Sequence, residues 1–126
     1  MLTVSVNIKM KSIKKDLGIE KLLFLNGDRY FIDDKGELEA IFKVTSVAES
    51  PEIPHGIKYT LLLLNAKGER IVCFDNAHAV TMGSGPGKKR SKQYDHKHIG
   101  SRVVPYEFED AFKLLKDFWD EVDKQV

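Results

Sequence analysis

The chain has 126 residues, 42% of them hydrophobic and 31% charged. That balance suits one compact domain over residues 1–126 and excludes a disordered tail. Apolar runs such as Leu61 to Leu64 fall far short of the roughly 20 residues of a membrane span, and the single cysteine, Cys73, excludes an internal disulfide or a multi-cysteine zinc site. Leu2 to Met10 alternates apolar and polar residues, which predicts a strand with one buried face rather than the apolar block of a secretory signal. A soluble, cytoplasmic chain is expected.

Ile19 to Leu25 is apolar and fits a short helix or a strand. Asn26-Gly27 and Asp33 to Gly36 are turn signals on either side of Arg29 to Ile32. From Glu37 to Val47, Leu38, Ala40, Phe42 and Val44 line one face of a strand. Pro51, Pro54 and Gly56 mark Glu49 to Gly56 as a connecting loop. Ile57 to Leu64 is apolar enough to be a central strand covered on both faces. Asn65 to Gly68 turns the chain into Arg70 to Phe74, a hairpin pattern. Gly83 to Gly87 reads as a glycine-rich loop, and Gln93 to Val104 regains a short strand. Tyr106 to Lys124 repeats Phe108, Ala111, Phe112, Leu115, Phe118, Trp119 and Val122 at helical spacing. The expected fold is α+β: an antiparallel meander of about five strands with this amphipathic C-terminal helix packed on one face.

A formal net charge of +1 conceals an uneven distribution. Residues 83–102 hold six cations (Lys88, Lys89, Arg90, Lys92, Lys97 and Arg102) against Asp95 alone, whereas residues 107–126 hold seven acids against three lysines. A basic segment followed by an acidic one suggests two binding faces, or a basic loop that the rest of the chain keeps soluble.

The candidate chemistry centres on Asp95-His96-Lys97-His98. In an extended backbone His96 and His98 share one face, and Asp95 and Lys97 share the other. Two imidazoles titrating near neutrality can serve as general base and general acid beside cations that hold a phosphate. Metal-independent RNA cleavage needs that set: a base for the 2′-hydroxyl, an acid for the 5′-oxygen and cations for the phosphate. On this reading Asp95, His96 and His98 are the catalytic cluster, Asp75 and Asn76 orient imidazoles or substrate, and Lys58, Lys97 and Arg102 hold phosphate. Lys88, Lys89 and Arg90 add affinity, and no metal or cofactor is needed. Two alternatives stand beside it. His96 and His98 joined by Asp75 or His78 could ligate a metal. The basic loop over residues 83–102 could instead make the protein a non-enzymatic nucleic-acid- or protein-binding module. Tyr30, Tyr59, Tyr94 and Tyr106 could stack on unpaired bases. Gly83 to Lys88 lacks the spacing of a nucleotide-binding loop.

The order of motifs resembles the TumE family of small toxins from bacterial and archaeal toxin–antitoxin pairs. The resemblance rests on Lys58-Tyr59 in a strand, Phe74-Asp75-Asn76, Asp95-His96-Lys97-His98, and Pro105-Tyr106-Glu107-Phe108 opening the last helix. It covers Tyr30 to Lys124. It implies a growth-inhibiting protein neutralised by a cognate antitoxin, commonly one carrying a helix-turn-helix. Two features depart from the family pattern: Phe74 replaces the expected tyrosine, and the stretch from His78 to Tyr94 is longer than usual. Alanine at His96 or His98 is expected to abolish toxicity with little change in melting temperature.

Overall fold

A computed structural model describes residues 18–77, 80–82 and 91–126. The expected strand Leu2 to Met10, His78 and the loop from Gly83 to Gly87 with Lys88, Lys89 and Arg90 lie outside the described residues. Helix α1 covers residues 18–24, which settles the ambiguity of that apolar stretch, and Leu22 is its fully buried anchor. Gly27, at φ +87°, then turns the chain, a conformation open to glycine at little cost.

Six strands form one antiparallel sheet in the order β1 (Arg29–Phe31), β2 (Glu39–Ser46), β3 (Ile57–Leu64), β4 (Arg70–Asp75), β7 (His96–Ile99) and β8 (Arg102–Pro105). Between β4 and β7 the chain forms a separate two-stranded ribbon, β5 (Val80–Met82) with β6 (Ser91–Gln93). The single strand expected over Gln93 to Val104 is therefore the end of β6 plus a hairpin. Gly100, at φ +60°, makes the tight β7–β8 turn, and this supplies the sixth strand.

Helix α2 spans Ala111–Asp123. It starts five residues later than the apolar spacing suggests, because Asp110 caps it by accepting a hydrogen bond from the Lys113 amide (2.8 Å). Ala111, Leu114, Phe118 and Val122 form its buried stripe, while Phe112 is half exposed and Phe108 lies outside the helix. The stripe packs on Ala40, Phe42, Val44, Tyr59, Leu61, Leu63, Val72 and Phe74, the alternate residues of β2, β3 and β4. Phe118 meets both Phe42 and Phe74 edge-on, at ring separations of 5.6 and 5.9 Å. The opposite face of β3 is only half buried or exposed, so this strand is central but not covered on both sides.

Candidate functional site

The register assigns each candidate side chain to a face. Lys43, Thr60, Asp75, His96 and Pro105 lie opposite one another across five strands, a row of roughly 19 Å at the usual interstrand spacing. The next row on the same side is Ile41, Leu62, Cys73, His98 and Val103. These residues alternate with the core residues and so occupy the face away from α2; on this open face Lys43, Lys58 and Val103 are exposed, whereas Ile41, Cys73, Asp75 and His96 are buried. His96 and His98 do share it, as strand geometry requires.

The two imidazoles stand edge to face, with centroids 4.9 Å apart. His96 is 2% exposed. Its Nδ1 lies 2.7 Å from the Tyr94 carbonyl oxygen, which can only accept, so Nδ1 carries the hydrogen. In the neutral ring the lone pair is then on Nε2. His98 is half buried and has the complementary arrangement. Arg70 Nη2, which can only donate, lies 3.4 Å from its Nδ1, a long contact that leaves the hydrogen of the neutral ring on Nε2. Burial, then the Arg70 charge and the proximity of His96, hold His98 below the usual histidine range against the opposing pull of Asp75. One imidazole thus presents a lone pair at Nε2 and the other a hydrogen.

Asp75 is nearly buried beside them, with Oδ1 accepting from the Ala77 amide. Cys73 is fully buried, and its thiol is pushed up to about 12, chiefly by burial and then by the Asp75 charge. It is a packing group and not a nucleophile.

Cations without an ion pair among the described residues also lie on this face. Lys43 and Lys58 are exposed there, bordering a shallow depression with Thr45 and Thr60. Neither they nor Arg70 form an ion pair among the described residues. Sequence reasoning found Lys58 and missed Lys43 and Arg70. Each is the one cation of a largely apolar strand, and only the strand register shows that they share a face with the histidines.

Other expected site residues lie elsewhere. Lys97 belongs to the helix-side row Phe42, Leu61, Phe74 and Lys97; its ammonium pairs with Glu121 at 3.0 Å and sits 5.7 Å from the centre of the Phe74 ring. Arg102, opposite Ile99, is likewise on that side. Asp95 alternates with His96 and points away from it. It accepts hydrogen bonds from Tyr59 Oη (2.7 Å) and His55 Nε2 (3.2 Å). Asn76 is fully buried and extends the β4 edge along β3. Its Oδ1 accepts from the Tyr59 amide, and its Nδ2 donates to the Ile57 carbonyl, both at 2.8 Å. Tyr59 and Tyr106 are buried core groups and not stacking platforms, whereas Tyr30 is exposed and meets Phe42 edge-on.

The helix side has its own histidine. His55 lies against Phe108 with ring centres 3.9 Å apart, in a cavity of about 290 Å³ whose mouth carries Glu49 and Glu109. Both of its ring nitrogens are engaged, Nε2 by Asp95 and Nδ1 by the Ile57 amide (3.4 Å). That engagement fixes His55 in place. Among the described residues no group of three or more His, Cys, Asp or Glu side chains is disposed to hold a metal ion, and no helix is long and apolar enough to cross a membrane.

No curated protein and no solved structure gives a match to the chain. The model of one protein family, described as Toxin TumE, matches residues 13–126. The match includes the sheet, both histidine-bearing faces and the C-terminal helix, and the chain therefore belongs to the TumE toxin family.

Proposed function

We propose that this toxin is a metal-independent endoribonuclease whose reactive groups are His96 and His98. The observation that carries the reading is the complementary hydrogen bonding of the two imidazoles on a face whose described cations have no ion pair among the described residues. His96 Nε2 takes the proton of the 2′-hydroxyl, and the 2′-oxygen attacks phosphorus. The bond to the 5′-oxygen breaks as His98 donates a proton to it, leaving a 2′,3′-cyclic phosphate and a 5′-hydroxyl. Arg70, Lys43 and Lys58 stabilise the charge on the phosphoryl oxygens. Asp75 faces His96 across the ladder and orients the pair. Lys97, Asp95 and Arg102 take no part at the phosphate because they face the other way. As a toxin the protein has a cognate antitoxin as its partner; a helix-turn-helix in that antitoxin accords with the resemblance noted from the sequence.

The test is cleavage of single-stranded RNA by wild type, His98→Ala and His96→Ala, each with and without EDTA. Cleavage that survives EDTA and is lost in both variants supports the assignment. Cleavage lost only in EDTA assigns the chemistry to a metal, and no cleavage of any RNA refutes the nuclease reading.

A second reading is favoured by the burial of His96, which suits a structural imidazole better than one meeting substrate. The open face would then bind RNA without cutting it. In that case His98→Ala leaves RNA affinity intact, and each of Lys43→Ala and Lys58→Ala lowers the salt-dependence slope by about 0.7.

A further inference from the structure

Arg70 is the one described cation in contact with a candidate reactive imidazole, and it has no carboxylate partner among the described residues. A guanidinium against the lone pair of a neutral histidine is a weak arrangement: the contact is long, at 3.4 Å, and the two groups repel once the ring is protonated. A planar fork of donors is far better satisfied by a phosphate, which accepts two parallel hydrogen bonds. Arg70 is exposed at the start of β4, so its side chain has room to move.

We propose that Arg70 and His98 together form a phosphodiester-binding site in which Arg70 leaves the imidazole for the phosphate oxygens and His98 takes up a proton from solvent. The inference rests on the open face being the surface that meets RNA, and it explains how a histidine that is neutral at rest becomes the proton donor for the leaving oxygen. The bound anion cancels the Arg70 charge and adds a negative charge beside the ring; both effects favour the imidazolium. Among the described residues the groups facing His98 are Arg70, Cys73 and Asp75 from β4 and His96 from β7, while β8 contributes uncharged Val103. Of these, only Arg70 can exchange the ring for an external anion. Asp75 opposes anion binding, but its carboxylate is nearly buried and held by the Ala77 amide.

The test follows the C2 proton of His98 by NMR across pH, at constant ionic strength, with no addition, with inorganic phosphate, and with a thymidine trinucleotide. The trinucleotide carries phosphodiesters but no 2′-hydroxyl, so binding is read without cleavage and independently of whether the protein cuts RNA. In wild type both ligands are expected to raise the His98 midpoint by about one pH unit. In Arg70→Gln the midpoint is expected to be raised already and to respond to neither ligand. In Arg70→Lys, which restores a cation, the resting midpoint returns toward the wild-type value. A wild-type midpoint that ignores both ligands, or one unchanged by Arg70→Gln, overturns the proposal. A response to phosphate alone, without the trinucleotide, overturns the assignment to a nucleic-acid backbone.

Discussion

The two faces of the sheet carry similar residues and use them in opposite ways. On the helix side several charged or polar groups have partners: Lys97 with Glu121, Lys113 with Asp117, and Asp95 with Tyr59 and His55. On the open side Lys43, Lys58 and Arg70 have no carboxylate partner among the described residues, and the two histidines stand against each other and a guanidinium. Pairing on one face removes charge from the interaction surface and adds it to stability. Its absence on the other leaves a field for an external anion to satisfy. The same residue type therefore predicts different behaviour according to its face, and four substitutions measure the difference.

The largest effect is expected where a polar group is built into the ladder. Asn76 supplies an acceptor to the Tyr59 amide and a donor to the Ile57 carbonyl, both in the interior. Asn76→Ala leaves these groups without partners and should cost about 2–4 kcal/mol, read as a shift of the urea midpoint at unchanged slope. If Asn76 instead oriented substrate, the variant would keep its midpoint and lose only activity, and that result would break the division between the faces.

Much of the fold was legible because the strands obey a strict alternation. Leu38, Ala40, Phe42 and Val44, or Ile57 and Tyr59, leave no choice of which side is buried, and Asn26-Gly27 and Asp33 to Gly36 mark real turns. What failed was what alternation cannot express. The start of α2 is set by the side chain of Asp110, while the apolar spacing begins earlier at Tyr106 and Phe108, residues that pack on the sheet from outside the helix. The β7–β8 hairpin depends on one glycine, Gly100, within the twelve residues from Gln93 to Val104. The candidate site was half legible for the same reason. The i, i+2 spacing of His96 and His98 places them together, and it equally places Asp95 and Lys97 on the far side. Arg70 and Lys43 come from strands remote in sequence, and only the register brings them to the same face.

A smaller effect separates the two histidines themselves. The sequence alone suggested that either could be replaced without loss of stability. Burial revises this for His96, whose removal empties a filled site and strands the Tyr94 carbonyl. His96→Ala is expected to cost about 1–3 kcal/mol, while His98→Ala stays within about 0.5 kcal/mol. Thermal melts of both variants beside the cleavage assay make His98→Ala the cleaner probe, since its loss of activity cannot be assigned to unfolding. Equal destabilisation by the two would mean that His98 is as structural as its neighbour.

The smallest effect tests the helix face, and it depends on pH. Burial pushes the Glu121 carboxyl up, but hydrogen bonds and charge from Lys97, and secondarily from Lys124, more than offset this and hold it below the usual glutamate value of 4.5. A carboxyl depressed in the folded state contributes stability above its unfolded value and loses it as pH falls through the folded one. Lys97→Met keeps the stem that lies over Phe74 and removes the charge. It should lower stability by less than about 1 kcal/mol at pH 7, with the difference from wild type closing below pH 4.5 as Glu121 takes up its proton. RNA affinity and its salt dependence should not change, because this ammonium lies across the sheet from the histidines. A Lys97→Met protein that is as stable as wild type at every pH but binds RNA less tightly would return Lys97 to the phosphate and refute the assignment of the two faces.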